Sequence, residues 1–280
     1  LCDMNKNIHS VSSSDSIWKF SKEGFRRTKQ VTLAFARRDL QLRYIQTRLG
    51  WFWSIGQPLL AAILVLVVFS WIVKIEAPYG FDYSIYAFAS LPAWLLSQHI
   101  IMQGSPSLVN NQHIISKVAF PRQSLPLSKA IVASVDYMVA TILYFLFRGI
   151  QTGIWDFYLI SFLFYSFITI LASLGIAYWI AAISIRFRDW LAILPLLIQG
   201  LFLLSPIVYP TEKYSNALGK YEWILYLNPF VAICDGFRWT WMGINNWSEL
   251  HYISFLMIII LYLSGITAIR YTEDKMIDTL

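Results

Sequence analysis

Residues 157–185 read FYLISFLFYSFITILASLGIAYWIAAISI, without one Asp, Glu, Lys, Arg or His. A helix rises about 1.5 Å per residue, so about 20 such residues cross a hydrocarbon core roughly 30 Å thick. A soluble core helix has no reason to be apolar on every side over that length. Working outward, residues 51–73, 83–103, 127–147, 190–210 and 252–269 have the same character, and Asp136 is the only carboxylate well inside any of them. The composition agrees, with 14% charged residues against a globular norm near 25%. The expected fold is an all-α integral membrane protein with six transmembrane helices.

The net charge of +6 could suggest nucleic acid, but its placement argues for topology instead. Ten Lys or Arg precede Trp51. With a cytoplasmic N-terminus, Lys117, Arg122, Lys129, Arg186, Arg188, Arg270 and Lys275 bring the inner set to 17 of 22. Lys74, Arg148, Lys213, Lys220 and Arg238 make up the outer set. The positive-inside rule therefore puts both termini in the cytoplasm. Basic residues then set topology and meet anionic membrane lipid, and no nucleic-acid partner is expected. Cys2 and Cys234 fall on opposite sides and cannot pair within one chain. The four histidines lack ligand spacing, so no metal site is expected. The first apolar run begins only at Trp51, so it serves as the insertion signal and no cleavable leader is expected.

Residues 1–24 read as a flexible cytoplasmic tail and 271–280 as a second, flanking a six-helix domain over 51–270. Between them, residues 25–50 form an amphipathic interfacial helix. At roughly 100° per residue, Val31, Ala34, Phe35, Leu42, Ile45 and Leu49 share one stripe, and Leu33, Ala36, Leu40 and Tyr44 the opposite one. The first stripe suits the membrane surface; the second suggests packing against protein. The segment 210–251 carries Trp223, Tyr226, Phe230, Phe237, Trp239 and Trp241, too many large apolar groups for a solvated loop. Two short helices re-entering the outer leaflet before the last span fit better. No internal repeat is visible, which disfavours an inverted-repeat secondary transporter.

Several short strings follow one another in a telling order. Arg38-Asp39-Leu40-Gln41-Leu42-Arg43-Tyr44 precedes Leu49-Gly50-Trp51-Phe52-Trp53 and Gln57-Pro58-Leu59. Lys117-Val118-Ala119-Phe120-Pro121-Arg122 and Arg186-Phe187-Arg188-Asp189 occupy inner loops. Leu204-Ser205-Pro206-Ile207-Val208-Tyr209-Pro210 ends the fifth span, and Asn228-Pro229-Phe230 with Gly236-Phe237-Arg238-Trp239 fills the outer segment. From about Arg37 to Arg270 the chain resembles the membrane (permease) subunits of type-2 ABC transporters that export O-antigen, capsule or teichoic acid. The resemblance implies a homodimer in the bacterial inner membrane, paired with two copies of a nucleotide-binding ATPase subunit. It also implies a polysaccharide cargo carrying a polyprenyl pyrophosphate, with O-antigen the leading choice.

The residues agree with a non-enzymatic subunit. No G-x-x-x-x-G-K-[ST] occurs, so ATP and Mg belong on the partner, and this chain has no cofactor or catalytic group of its own. An ATPase pushes where it touches, which makes inner loops the coupling candidates. The first choice is Asn110, Asn111, His113, Lys117, Phe120, Pro121 and Arg122, read as a short apolar-basic helix closed by proline. Arg37, Arg38, Arg43 and Arg48 on the interfacial helix have the planar fork that suits a substrate pyrophosphate. Aromatics favour weak stacking on sugar rings, which lets a polymer slide. Trp53, Tyr86, Trp94, Phe202 and Tyr209 are the conduit candidates. Asp136 either bonds within the bundle or lines the conduit. A type-2 drug or lipid efflux permease would share the coupling loop. A membrane-bound glycosyltransferase would need clustered acidic residues, and no Asp-x-Asp is present.

Overall fold

The computed structural model describes residues 22–45, 52–72, 80–118 and 120–277. Its first helix, α1 (Lys22–Ile45), precedes α2 (Phe52–Leu66), which runs on as a π-helical segment, Val67–Ile72. Then come α3 (Tyr83–Gly104), the short turns α4 (Ser107–Asn110) and α5 (Gln112–Ile115), α6 (Ser124–Thr152), α7 (Leu159–Arg186) and α8 (Asp189–Leu204). The chain ends with α9 (Thr211–Leu218), a 3₁₀ helix (Gly219–Leu227), α10 (Pro229–Met242) and α11 (His251–Ile277). No strand occurs among the described residues.

The chain is all-α, and each of the six expected spans contains an apolar helix. Helices α3, α6, α7 and α11 are long and apolar enough to cross a membrane, while the helices of the first and fifth spans are shorter. The fifth was expected to continue to residue 210. It stops at Leu204 because Pro206 supplies no N–H and pushes Ser205 into an extended conformation (φ −93°, ψ 142°). At about 1.5 Å per residue, this leaves α8 roughly 24 Å long.

Helix α3 is the centre of the bundle. It packs on α6, α7 and α10 and buries most of its residues, including Tyr86, Leu91, Leu96, Ile100 and Ile101. Helices α7 and α11 lie closest together, through Gly175 and Gly265: a Cβ on Gly175 would meet backbone atoms of Leu261 and Tyr262 at 2.8 Å. Small residues let helix backbones approach, which is how helices associate where lipid offers no hydrophobic drive. The expected pair of short helices before the last span is present as α9 and α10, joined by the 3₁₀ helix. Asn228 caps α10 by accepting from the Phe230 N–H at 3.0 Å, with Pro229 following the cap.

Helix α1 packs on α6 through a face that shares Ala36 with the second stripe and Phe35 with the first. Thr28, Thr32 and Ala36 are buried, Phe35 is half-buried, and Asp39 and Arg43 continue the same line. Leu33 of the second stripe and Leu42 of the first are exposed. The protein-facing line is polar because its partners on α6 are charged.

Candidate functional site

A cleft of about 750 Å³ opens between α1, α2, α3 and α6. Arg43 lies at its centre. Its guanidinium pairs with Asp136 of α6 at 2.8 Å, meets His99 Nε2 of α3 at 3.0 Å and donates to Gln57 of α2 at 3.3 Å. His99 Nδ1 lies 3.5 Å from the same Asp136 oxygen. Next to this set, Lys129 of α6 pairs with Asp39 at 2.5 Å, and Arg38 takes the other Asp39 oxygen at 2.9 Å. An intramembrane carboxylate costs about 2.5–3.5 kcal/mol on insertion scales and so faces a partner or cavity. Asp136 does both.

The arginines assigned to a pyrophosphate differ in their surroundings. Arg43 and Arg38 are ion-paired, Arg37 is exposed, and Arg48 lies outside the described residues. The pairing of Lys129 with Asp39 had no sequence signal beyond opposite charge.

At the same end, the coupling segment is more compact than expected. Helix α5 ends at Ile115, before Lys117, and Asn111 is buried, donating to the Ser107 carbonyl at 2.8 Å. Arg122 is buried too, and donates to the Thr272 carbonyl of α11 at 3.0 Å. Neither offers itself to a partner. The exposed tip is His113, Ser116, Lys117 and Val118, with Asn110 beside it, while Phe120 and Pro121 are half-buried. Phe120 rests on Phe35 of α1 (ring centroids 5.5 Å apart), and Gln123 donates to Thr28 at 3.5 Å. Arg188 donates to Gln112 at 3.1 Å, so both loops read as inner ones meet. We expect Arg122→Ala to cost about 1.5–3 kcal/mol, the worth of a hydrogen bond from a charged group. It should lower the amount of folded protein in the membrane. A Lys117→Ala/Val118→Ser double variant should keep wild-type abundance, and blotting of membrane fractions separates the two cases.

The opposite end is tied by a second charged group. Arg238 of α10 is 1% exposed and donates to Asp235 at 3.2 Å, to the Pro206 carbonyl at 2.5 Å and to the Ile207 carbonyl at 3.1 Å. Its guanidinium lies 4.0 Å from the centroid of the Tyr86 ring. Asp235 also accepts from Thr211 at 2.7 Å and meets His251 Nε2 at 3.2 Å. The carbonyls freed where Pro206 unwinds α8 thus find their donor on α10. Asn228 adds a bond to Ser205 at 2.9 Å, and Tyr83 one to the Val208 carbonyl at 3.0 Å. Burial raises the pKa of the Tyr226 hydroxyl above its ordinary value, and Ser248 donates to that hydroxyl at 3.2 Å.

The knot corrects part of the conduit set. Tyr86 is fully enclosed beneath Arg238 and is a cation–π platform, not a surface a polymer could touch. Trp94 is buried between Phe202 (5.5 Å) and Phe230 (5.3 Å). Phe202 and Tyr209 are half-buried, Tyr209 against Phe69 and Tyr214. The side chain of Trp53 lies outside the described residues. Among the described residues, no group of three or more His, Cys, Asp or Glu is placed to hold a metal ion.

Among the described residues, Arg38, Asp39 and Arg43 of the first string and Arg238 of the last thus fall in two separate ion-paired regions of one helical bundle. The family model of the ABC-2 type transporter matches residues 30–242, a range that contains the Arg43–Asp136 and Arg238–Asp235 pairs. The chain belongs to that family. Similar proteins include an "O-antigen export system permease protein RfbA" from Klebsiella pneumoniae, 25% identical over 240 residues, covering 84% of this chain and 86% of that protein. Another of the same name, from Myxococcus xanthus, is 24% identical over 207 residues, covering 74% and 78%. A "Polysialic acid transport protein KpsM" from Escherichia coli is 22% identical over 263 residues, covering 92% of this chain and all of that protein. As an ABC-2 type transporter chain, it is a multi-pass membrane protein and a transport subunit. The buried glycine contacts and the ties made by Arg238 shape its bundle, and a polar cleft opens beside α1.

Proposed function

We propose that this chain is the membrane subunit of an ATP-driven exporter of a lipid-linked polysaccharide, O-antigen first, across the bacterial inner membrane. The supporting observation is its near end-to-end match with O-antigen export permeases, 84% of one chain against 86% of the other. In this reading two copies form the conduit and two ATPase subunits bind ATP and Mg. The α1 end faces the cytoplasm, and both chain termini lie there. The tip His113, Ser116, Lys117 and Val118 meets the ATPase. Phe202 and Tyr209, with Trp53, line the conduit, and Trp94 supports Phe202 from behind. The pyrophosphate of the cargo approaches the arginines of α1. The complete coverage of the polysialic acid transport protein favours a capsular polymer as the second reading.

Deletion of the gene tests this directly. Surface polysaccharide should disappear, lipid-linked polymer should accumulate on the cytoplasmic side, and a plasmid copy should restore export. Which polymer is lost decides between the two cargoes; unchanged surface polymer of every kind would remove the reading. The purified chain alone should hydrolyse no ATP, and hydrolysis should appear when the ATPase co-purifies. The Lys117→Ala/Val118→Ser variant should weaken that co-purification at wild-type membrane abundance.

A further inference from the structure

The cleft beside α1 holds more than a clamp. Both of its ion pairs, Asp39 with Lys129 and Arg43 with Asp136, cross from α1 to α6. They are reinforced at the coupling segment by Phe35 on Phe120 and Thr28 with Gln123. The position of α1 on α6 and the position of the loop after α5 are therefore one mechanical variable.

We infer that these two ion pairs are a latch that a phosphate-bearing lipid headgroup opens by exchange. Phosphate oxygens replace Asp136 on Arg43 and Asp39 on Lys129, and α1 loosens from α6. The inference rests on the proposed export of a pyrophosphate-linked polymer and adds how the cargo's arrival reaches the ATPase.

Three features carry it. First, the set is built for substitution. Among the described residues at the cleft and its rim, the cations are Arg38, Arg43 and Lys129 and the carboxylates Asp39 and Asp136, a positive balance that attracts an anion. Second, exchange leaves Asp39 a charged partner. Asp39 keeps Arg38 at 2.9 Å, while Asp136 has the His99 ring 3.5 Å away. Breaking a buried pair is costly when one charge is left alone; the Asp39 pair escapes that cost, and the Asp136 pair is the one that resists opening. Third, the surroundings suit a lipid rather than a free ion. Gln57 and Pro58 of α2 line the cleft, and the next residues of that helix, Leu59, Leu60, Ile63 and Leu64, are exposed apolar groups along which an acyl or prenyl chain can lie. Guanidinium pairs with phosphate in the same forked geometry as with carboxylate, so a diphosphate can compete with Asp136 for Arg43 and with Asp39 for Lys129 together.

The test uses the complete complex with its ATPase in phosphatidylcholine vesicles, reading ATP hydrolysis. Polyprenyl diphosphate in the vesicles should raise turnover several-fold. Phosphatidylglycerol and added inorganic pyrophosphate are the other arms: equal stimulation by phosphatidylglycerol assigns the latch to bulk anionic lipid, and stimulation confined to polyprenyl diphosphate assigns it to cargo. Asp136→Asn should raise the basal rate several-fold and lose most of the further response. If that variant fails to accumulate, charge reversal replaces it: Asp136→Arg alone should be uncoupled, and Arg43→Asp with Asp136→Arg should return the low basal rate. A wild-type basal rate with full stimulation in these single variants would overturn the latch. So would a wild-type complex indifferent to every phosphate lipid, although deletion of the gene still abolished surface polymer; that result would leave the export reading in place.

Discussion

Arg238→Ala is expected to remove most of the folded protein from the membrane. Arg238 is buried beside Asp235 and is the donor for two carbonyls that the unwinding at Pro206 sets free. Removing one member of a buried ion pair costs about 3–5 kcal/mol, because the other charge is left uncompensated. That is a large share of the roughly 5–15 kcal/mol that holds a typical domain together. Thr211 and His251 would still contact Asp235, but nothing else described reaches the Pro206 and Ile207 carbonyls from α10. Arg238→Lys should recover only part of the loss, since a single ammonium cannot serve a carboxylate and two carbonyls with the geometry of a planar fork. Membrane abundance and the melting temperature of detergent-purified protein measure both variants. A purified Arg238→Ala protein that melts with the wild type would show that the knot contributes no stability.

The second large effect is expected at Gly175. A Cβ there would sit 2.8 Å from Leu261 C and Tyr262 N, and 2.9 Å from Leu261 O, all backbone atoms that cannot rotate away. Gly265 has the reciprocal problem, with a Cβ 2.6 Å from Gly175 O. Alanine at 175 forces α7 and α11 apart, which loosens the Trp179–Ser264 hydrogen bond of 2.9 Å and the Tyr178–Tyr262 contact. Overpacking of this kind costs about 1–3 kcal/mol, and Gly175→Val should cost more. Gly200 of α8 is the control, because nothing lies within 4 Å of a Cβ placed there. Gly200→Ala should be neutral or gain up to about 1 kcal/mol from helix propensity. Equal melting temperatures for Gly175→Val and wild type would mean that the α7–α11 contact is looser than its geometry.

Much of the architecture was legible in the chain alone. A run such as 157–185 has one physical solution in lipid, since every backbone polar group must be satisfied within the segment. That fixed the helical class and the six apolar segments. The basic residues grouped the loops, and the structure brings Arg188 to Gln112 and Arg122 to Thr272 at one end of the bundle. The apolar run alone carried the fifth span to residue 210. The end of α8 before Pro206 and the start of α10 at Asn228-Pro229 follow from proline's covalent geometry and were read only in the structure.

What the sequence left open was which face of each helix meets protein. In water an apolar stripe marks the buried face; in a membrane both lipid and protein accept apolar side chains, so the stripe no longer discriminates. Leu42 and Leu33 therefore pointed to faces of α1 that the structure leaves exposed, while Thr28, Thr32, Asp39 and Arg43 line the face on α6. Charge counting had the same blind spot. Arg122 was placed on the inner side and in the coupling segment, and Arg238 on the outer side, yet each is buried on carbonyls far away in sequence. Tyr86 read as a candidate for sugar stacking until Arg238 was found above it. The sequence by itself determined the helical class and where the apolar segments lie, since those follow from local chemistry and the solvent. Only the tertiary structure decided which charges neutralise one another, because a partner 93 residues away, as Asp136 is from Arg43, is chosen by packing and leaves no local trace.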